Sequence, residues 1–129
     1  MKGVLADDAL ISFVATTDLE RARAFYGDVL GLTLDDESPF ALVYQQNGTM
    51  LRITAVRELA PAAYTVLGWA VPDIAASVRG LEERGVAFER FAGVDQDELG
   101  IWHAPSGARV AWFKDPDGNL LSVAEYPAD

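Results

Sequence analysis

The chain has 129 residues, half of them hydrophobic and 23% charged, which suits a single folded domain rather than a disordered segment. Twenty acidic against ten basic residues give a formal net charge of -10, which repels phosphate backbones and anionic membranes. Cysteine is absent and histidine occurs once, at His103, so disulfides, thiolate catalysis and multi-histidine metal sites built from one chain are excluded.

No apolar run approaches the roughly 18 residues that a membrane span needs. The opening MKGVLADDAL lacks the apolar core of a signal peptide, so a cytoplasmic location is expected, with neither nucleic acid nor membrane as partner.

The first expected strand covers about residues 10–15. Asp18 follows in an N-cap position, and a helix runs to near Gly31 with Leu19, Ala22, Phe25, Tyr26, Val29 and Leu30 on one stripe. Strands are then expected at about 32–36, 40–46 and 50–56, the last two joined by the hairpin signal Asn47-Gly48. Residues 57–63, with Pro61, read as a connector.

The second half repeats the pattern. A strand at about 64–71 leads to Asp73 as N-cap, then to a helix that buries Ile74, Val78 and Leu81 and closes near Gly85. Strands are expected at about 87–91, 109–114 and 120–126. The acid- and glycine-rich stretch 92–107 interrupts them, with a short strand at 101–103. Between the last two strands lies Asp115-Pro116-Asp117-Gly118-Asn119, in which each residue suits a tight turn. Each half is then β-α-β-β-β, with module 1 at about 9–56 and module 2 at about 64–126 of a single domain spanning 1–129. One helix covers one sheet face only, so two such units are expected to associate.

The segments TTDLERARAFYGDVLGL and WFKDPDGNLLSV, at this spacing, resemble the vicinal-oxygen-chelate superfamily of glyoxalase I, extradiol dioxygenases and bleomycin-resistance proteins. The resemblance runs from about residue 11 to 125. It implies an α+β fold in which two βαβββ modules form a curved mixed-sheet cup, and commonly a homodimer. Metal-using members take ligands from the first and last strands of each module. By motif offset those positions are Ile11, about Arg52, Val66 and Ser122: two aliphatics, a cation and a hydroxyl. None is a good ligand for a first-row transition ion, so no metal or other cofactor is expected.

Strand alternation supplies an independent reading of the faces. Leu51 and Ile53 are expected to face the first helix, leaving Arg52 and Thr54 on the cup side. Leu67, Trp69 and Val71 face the second helix, as do Leu121 and Val123, so Tyr64, Val66, Gly68 and Ala70 of one strand and Leu120, Ser122 and Ala124 of the other line the cup. Trp112 opposes Phe113 and joins them. Phe13, Tyr44, Arg52, Tyr64, Trp102, Trp112 and Ser122 are therefore the candidate ligand-binding residues: aromatic walls with sparse polar groups, as small-molecule pockets require.

His103 is the candidate for proton transfer, since histidine titrates near neutrality. A cation site at Asp95, Asp97 and Glu98 competes with a simple solvated acidic loop. Ser106 has no nucleophile elbow, and the turn at Asp115 fails as a calcium loop because its glycine is misplaced. The expected function is metal-independent binding of a small molecule, an antibiotic or an aromatic or anionic metabolite, as in bleomycin-resistance proteins. The alternatives are a lyase, isomerase or hydrolase using His103, Tyr64 or Glu125, a metalloenzyme with shifted ligands, and a module plugged by its own side chains.

Overall fold

A computed structural model describes residues 3–128; residues 1, 2 and 129 of the expected 1–129 domain lie outside the described residues. The chain divides into two compact units, Met1–Glu58 and Leu59–Asp129, and the division falls inside the stretch read as a connector. Each unit holds one four-stranded mixed sheet.

In the first unit the strands are β1 (Ile11–Thr16), β2 (Leu34–Glu37), β3 (Ala41–Gln46) and β4 (Thr49–Ala55), in the order β1-β4-β3-β2. β1 runs parallel to β4, and the remaining pairs are antiparallel. Helix α1 (Leu19–Arg23) starts where Asp18, in extended conformation, accepts the Arg21 N–H at 3.1 Å. The expected longer α-helix does not continue. From Ala24 to Val29 the chain widens into a π turn, with the Leu30 N–H reaching back five residues to the Phe25 carbonyl at 2.9 Å. The apolar stripe survives the change: Ala22 and Tyr26 are buried, while Glu20, Arg21, Arg23 and Asp28 face solvent. Gly31, at φ 81°, then turns the chain back towards β2.

The second unit repeats this order with β5 (Leu67–Ala70), α2 (Ile74–Glu83), β6 (Trp102–His103), β7 (Arg109–Lys114) and β8 (Leu120–Glu125). Its sheet order is β5-β8-β7-β6, with β5 parallel to β8. Asp73 caps α2 by accepting the Ala76 N–H at 3.1 Å, and α2 packs on β7 and β8.

The expected strand at 87–91 is reduced to a single bridge between Phe88 and Phe113, with the Glu89 N–H donating to the Trp112 carbonyl at 2.7 Å. The Phe91 N–H, which a longer strand would offer to β7, donates instead to Gln96 Oε1 at 2.8 Å, and the chain leaves the sheet. The short β6 then covers the other half of the β7 edge, opposite Arg109 and Val110.

The closing turn is dense with hydrogen bonds. Asp115 Oδ1 accepts from the Asp117 and Asn119 N–H groups at 3.0 and 2.9 Å, and Oδ2 accepts from Asn119 Nδ2 at 2.8 Å. Asp115 and Asn119 are both 5% exposed, so these bonds replace water for buried polar groups. Gly118 takes φ 88°, and Pro61 from the connector stretch packs against it.

Candidate functional site

Register assigns the faces within each unit. In the first, Arg52 lies between Phe13 on β1 and Val43 on β3, so these three share the face opposite α1. Leu51 and Ile53 are buried on the helix side, in keeping with alternation along β4. Arg52 is half-buried on the central strand pair, and it has no carboxylate partner or hydrogen bond among the described residues. Phe13 is 62% exposed beside it. A guanidinium flanked by apolar side chains, with its donors uncommitted, is suited to an anionic ligand.

Tyr44 does not join that face, which corrects its expected place in the cup lining. It pairs with Leu51, points towards the helix side and is fully buried, with its ring 6.4 Å from that of Tyr26. The apolar run around residue 42 has no alternation to reveal its register. The Tyr44 hydroxyl is sealed from solvent with no hydrogen-bond partner. Burial raises its pKa; Arg23 opposes that shift, and Asp28 and Glu37 add to it. Because an unpartnered buried hydroxyl is unfavourable, Tyr44→Phe is expected to raise the unfolding free energy by about 1 kcal/mol, read as a higher urea midpoint.

In the second unit, Gly68 on β5, Ser122 on β8 and Trp112 on β7 lie in one row across the sheet, on the face opposite α2. Trp102 on β6 shares that face and lies 6.1 Å from Trp112 with planes 30° apart. Phe91, which sequence reasoning did not single out, meets Trp112 edge-on at 5.4 Å. Trp69 and Phe113 stack at 6.4 Å on the other face. Tyr64 is 70% exposed but precedes β5, so the alternation used to place it does not reach it.

Of the three groups considered for proton transfer, His103 and Glu125 lie off the tryptophan face. His103 follows Trp102 on β6 and so projects to the other side, where its Nε2 lies 3.2 Å from Asp97 Oδ2. Glu125 follows Ala124 and is committed to structure: its Oε1 accepts the Ile74 N–H at the start of α2 at 2.9 Å, and Oε2 lies 3.9 Å from Arg109.

The acid- and glycine-rich stretch is cross-linked by side chains. Gln96 accepts from Phe91 and donates to the Glu89 and Gly100 carbonyls at 2.9 and 2.7 Å. Asp97 accepts from the Leu99 and Ile101 N–H groups at 2.9 and 3.0 Å. Desolvation acts to raise the Asp97 pKa, but the Ile101 N–H, His103 and the Leu99 N–H outweigh it and hold it below the usual 3.8. A depressed folded-state value contributes stability above the unfolded pKa that is lost as pH falls through the folded one. Melting temperature is therefore expected to drop below about pH 4, with a smaller drop in Asp97→Asn; identical acid limbs would remove Asp97 as a cause.

The family model for the Glyoxalase/Bleomycin resistance protein/Dioxygenase superfamily matches residues 9–123. The chain belongs to this superfamily. No curated protein matches this superfamily member at a significant level. Among solved structures it is similar to TnmS3, an antibiotic binding protein from Streptomyces sp. CB03234, at TM-score 0.74 and 23% identity, covering 97% of this chain and 100% of that one. A glyoxalase/bleomycin resistance protein from Catenulispora acidiphila is 26% identical, at TM-score 0.69 over 92% of this chain and 98% of that one. A lactoylglutathione lyase from Agrobacterium tumefaciens superposes at TM-score 0.67 and 20% identity, over 92% and 93%.

Metal-using members of the superfamily invite a test of the four offset positions. Ile11 shares the Arg52 face in the first unit; in the second, Ser122 shares the Gly68 face and Val66 lies just before β5, its N–H donating to the Leu120 carbonyl at 3.0 Å. The positions thus present two hydrocarbon side chains, a guanidinium and one neutral hydroxyl. A cation repels a metal ion, and the hydroxyl is a weak ligand, so these residues do not fit a divalent transition metal. No group of three or more His, Cys, Asp or Glu among the described residues is placed to hold a metal ion either.

Proposed function

We propose that this superfamily member is a metal-independent binding protein that sequesters an aromatic or anionic small molecule, with antibiotics among the compounds to try first. The observation that carries the reading is Arg52, a half-buried cation flanked by Phe13 and Val43, with no ion-pair or hydrogen-bond partner among the described residues. In a chain with twice as many acids as bases, such an arginine would ordinarily be paired. Exposed Phe13 beside it supplies apolar surface of the kind that drives small-molecule binding, and within the second unit the indoles of Trp102 and Trp112 do the same on their own sheet face. The likeness to an antibiotic binding protein supports the same reading. We further propose that the protein acts as a cytoplasmic homodimer, which sedimentation equilibrium tests.

A thermal-shift screen over antibiotics, aromatic acids and neutral aromatics tests the function, because a ligand raises stability by RT ln(1 + [L]/Kd). Arg52→Ala is expected to weaken an anionic hit about tenfold or more, the loss of one charge-assisted contact. EDTA is expected to leave both melting and binding unchanged. A stoichiometric transition metal in the purified protein, or a screen without any stabilising compound, would overturn the proposal.

A further inference from the structure

Ser122 is 9% exposed, yet its hydroxyl has no hydrogen-bond partner among the described residues. The Tyr44 hydroxyl is the sealed, unpartnered side-chain polar atom among those residues, so the Ser122 Oγ is unpartnered without being sealed. Its direction is marked by Gly68, where a Cβ would lie 2.7 Å from the Ser122 Oγ. The hydroxyl therefore leans into the space that the missing side chain leaves on the edge strand.

The surroundings give that space a shape. Proceeding across the sheet, Trp102 and Trp112 stand on β6 and β7, and the heights then fall to Ser122 and Ala124 on β8 and to Gly68 and Ala70 on β5. Gly68 and Ala70 are exposed, so the floor opens to solvent on its β5 side, while Ser122 and Ala124 are buried. Phe91 and Trp102 both contact Trp112, which limits the indole's freedom and keeps it as a fixed wall. A flat ring resting on the small-residue floor against an indole gains dispersion and apolar burial, and Ser122 can either donate to or accept from its edge.

We infer that Ser122 and Gly68 form, with Trp112, a shelf that takes a planar, uncharged heteroaromatic ring whose edge hydrogen-bonds the Ser122 hydroxyl. This inference rests on the small-molecule reading above and adds the ligand's ring class and a residue that selects it. Ser122 discriminates by chemistry: a hydrocarbon ring of the same shape would bury the hydroxyl unpaired, whereas a ring nitrogen or carbonyl satisfies it. Gly68 discriminates by space, because any side chain there displaces the hydroxyl.

Quinoline, neutral at pH 7.5 with one acceptor at its edge, is a suitable probe in a nitrogen-15 NMR titration of the full chain. Saturable shifts are expected at the Trp112 and Trp102 indole N–H signals and at the Gly68 and Ser122 amides, with the Trp69 indole as internal reference. Ser122→Ala is expected to weaken binding about fivefold, the size of one neutral hydrogen bond. Gly68→Ala should weaken it as well, but add little in the Ser122→Ala background, since the two changes act on the same hydroxyl. Equal affinity in Ser122→Ala, or saturable shifts confined to Phe13 and Arg52, would overturn the shelf while leaving the binding function standing. No saturable shift anywhere also overturns it, and the anionic arm of the thermal-shift screen then decides the broader reading separately.

Discussion

Asp115→Ala is expected to lower the unfolding free energy by about 3 kcal/mol, a large effect for one turn residue. One carboxylate accepts three hydrogen bonds, from the Asp117 N–H, the Asn119 N–H and the Asn119 side-chain amide. Charge-assisted bonds of this kind contribute more than neutral ones, and at 5% exposure water cannot replace the lost acceptor. Alanine also removes the side chain that holds the Asp117 and Asn119 N–H groups inward while Gly118 adopts positive φ. Asp115→Asn keeps one carbonyl oxygen but turns an NH2 towards another NH2, so about half the loss is expected. Urea unfolding measures both; a shift below 1 kcal/mol in Asp115→Ala would show that the turn is held by the strands alone. The same experiment bears on function, because the turn sets the register that brings Ser122 opposite Trp112.

That turn was legible because its chemistry is local. Asp, Pro, Gly and Asn each have a conformational preference at their own position, and the flanking strands appear at the expected residues. The helix caps at Asp18 and Asp73 were legible for the same reason. Arg52 could be assigned a face because Leu51 and Ile53 alternate with it, whereas Tyr44 sits in an unbroken apolar run with no parity to read. The π turn after Arg23 was invisible, since a 3.6-residue stripe looks the same until a single backbone bond shifts. Ser122 was singled out as a hydroxyl at a metal-ligand position and as a cup-lining residue. Its relation to Gly68 depends on pairing between strands more than fifty residues apart, which no local signal carries.

The side-chain cross-links of the acidic loop had no signal in the sequence, and they supply the second large expected effect. Gln96→Ala is expected to cost about 3 kcal/mol, because one side-chain amide joins three backbone groups from Glu89 to Gly100. Composition pointed to an open solvated segment, and glycines and carboxylates do favour that reading. The acidic side chains are indeed exposed, and a single glutamine orders the backbone beneath them by offering one acceptor and two donors to groups that have left the sheet. Phe91, whose N–H it holds, is the residue that packs edge-on against Trp112. Loosening the loop should therefore reach the tryptophan face as well as the global fold. Hydrogen exchange distinguishes the two: faster exchange is expected at Phe91 and Gly100, at a denaturant concentration where the amides of β8 stay protected. Tryptophan fluorescence should change alongside, as Trp112 loses its edge-on neighbour. Gln96→Glu is the sharper control, since it keeps the acceptor for Phe91 but removes both donors and sets a charge against two carbonyls. If Gln96→Glu exchanges like the parent protein, the donors to Glu89 and Gly100 are dispensable and the loop is held by Asp97 instead.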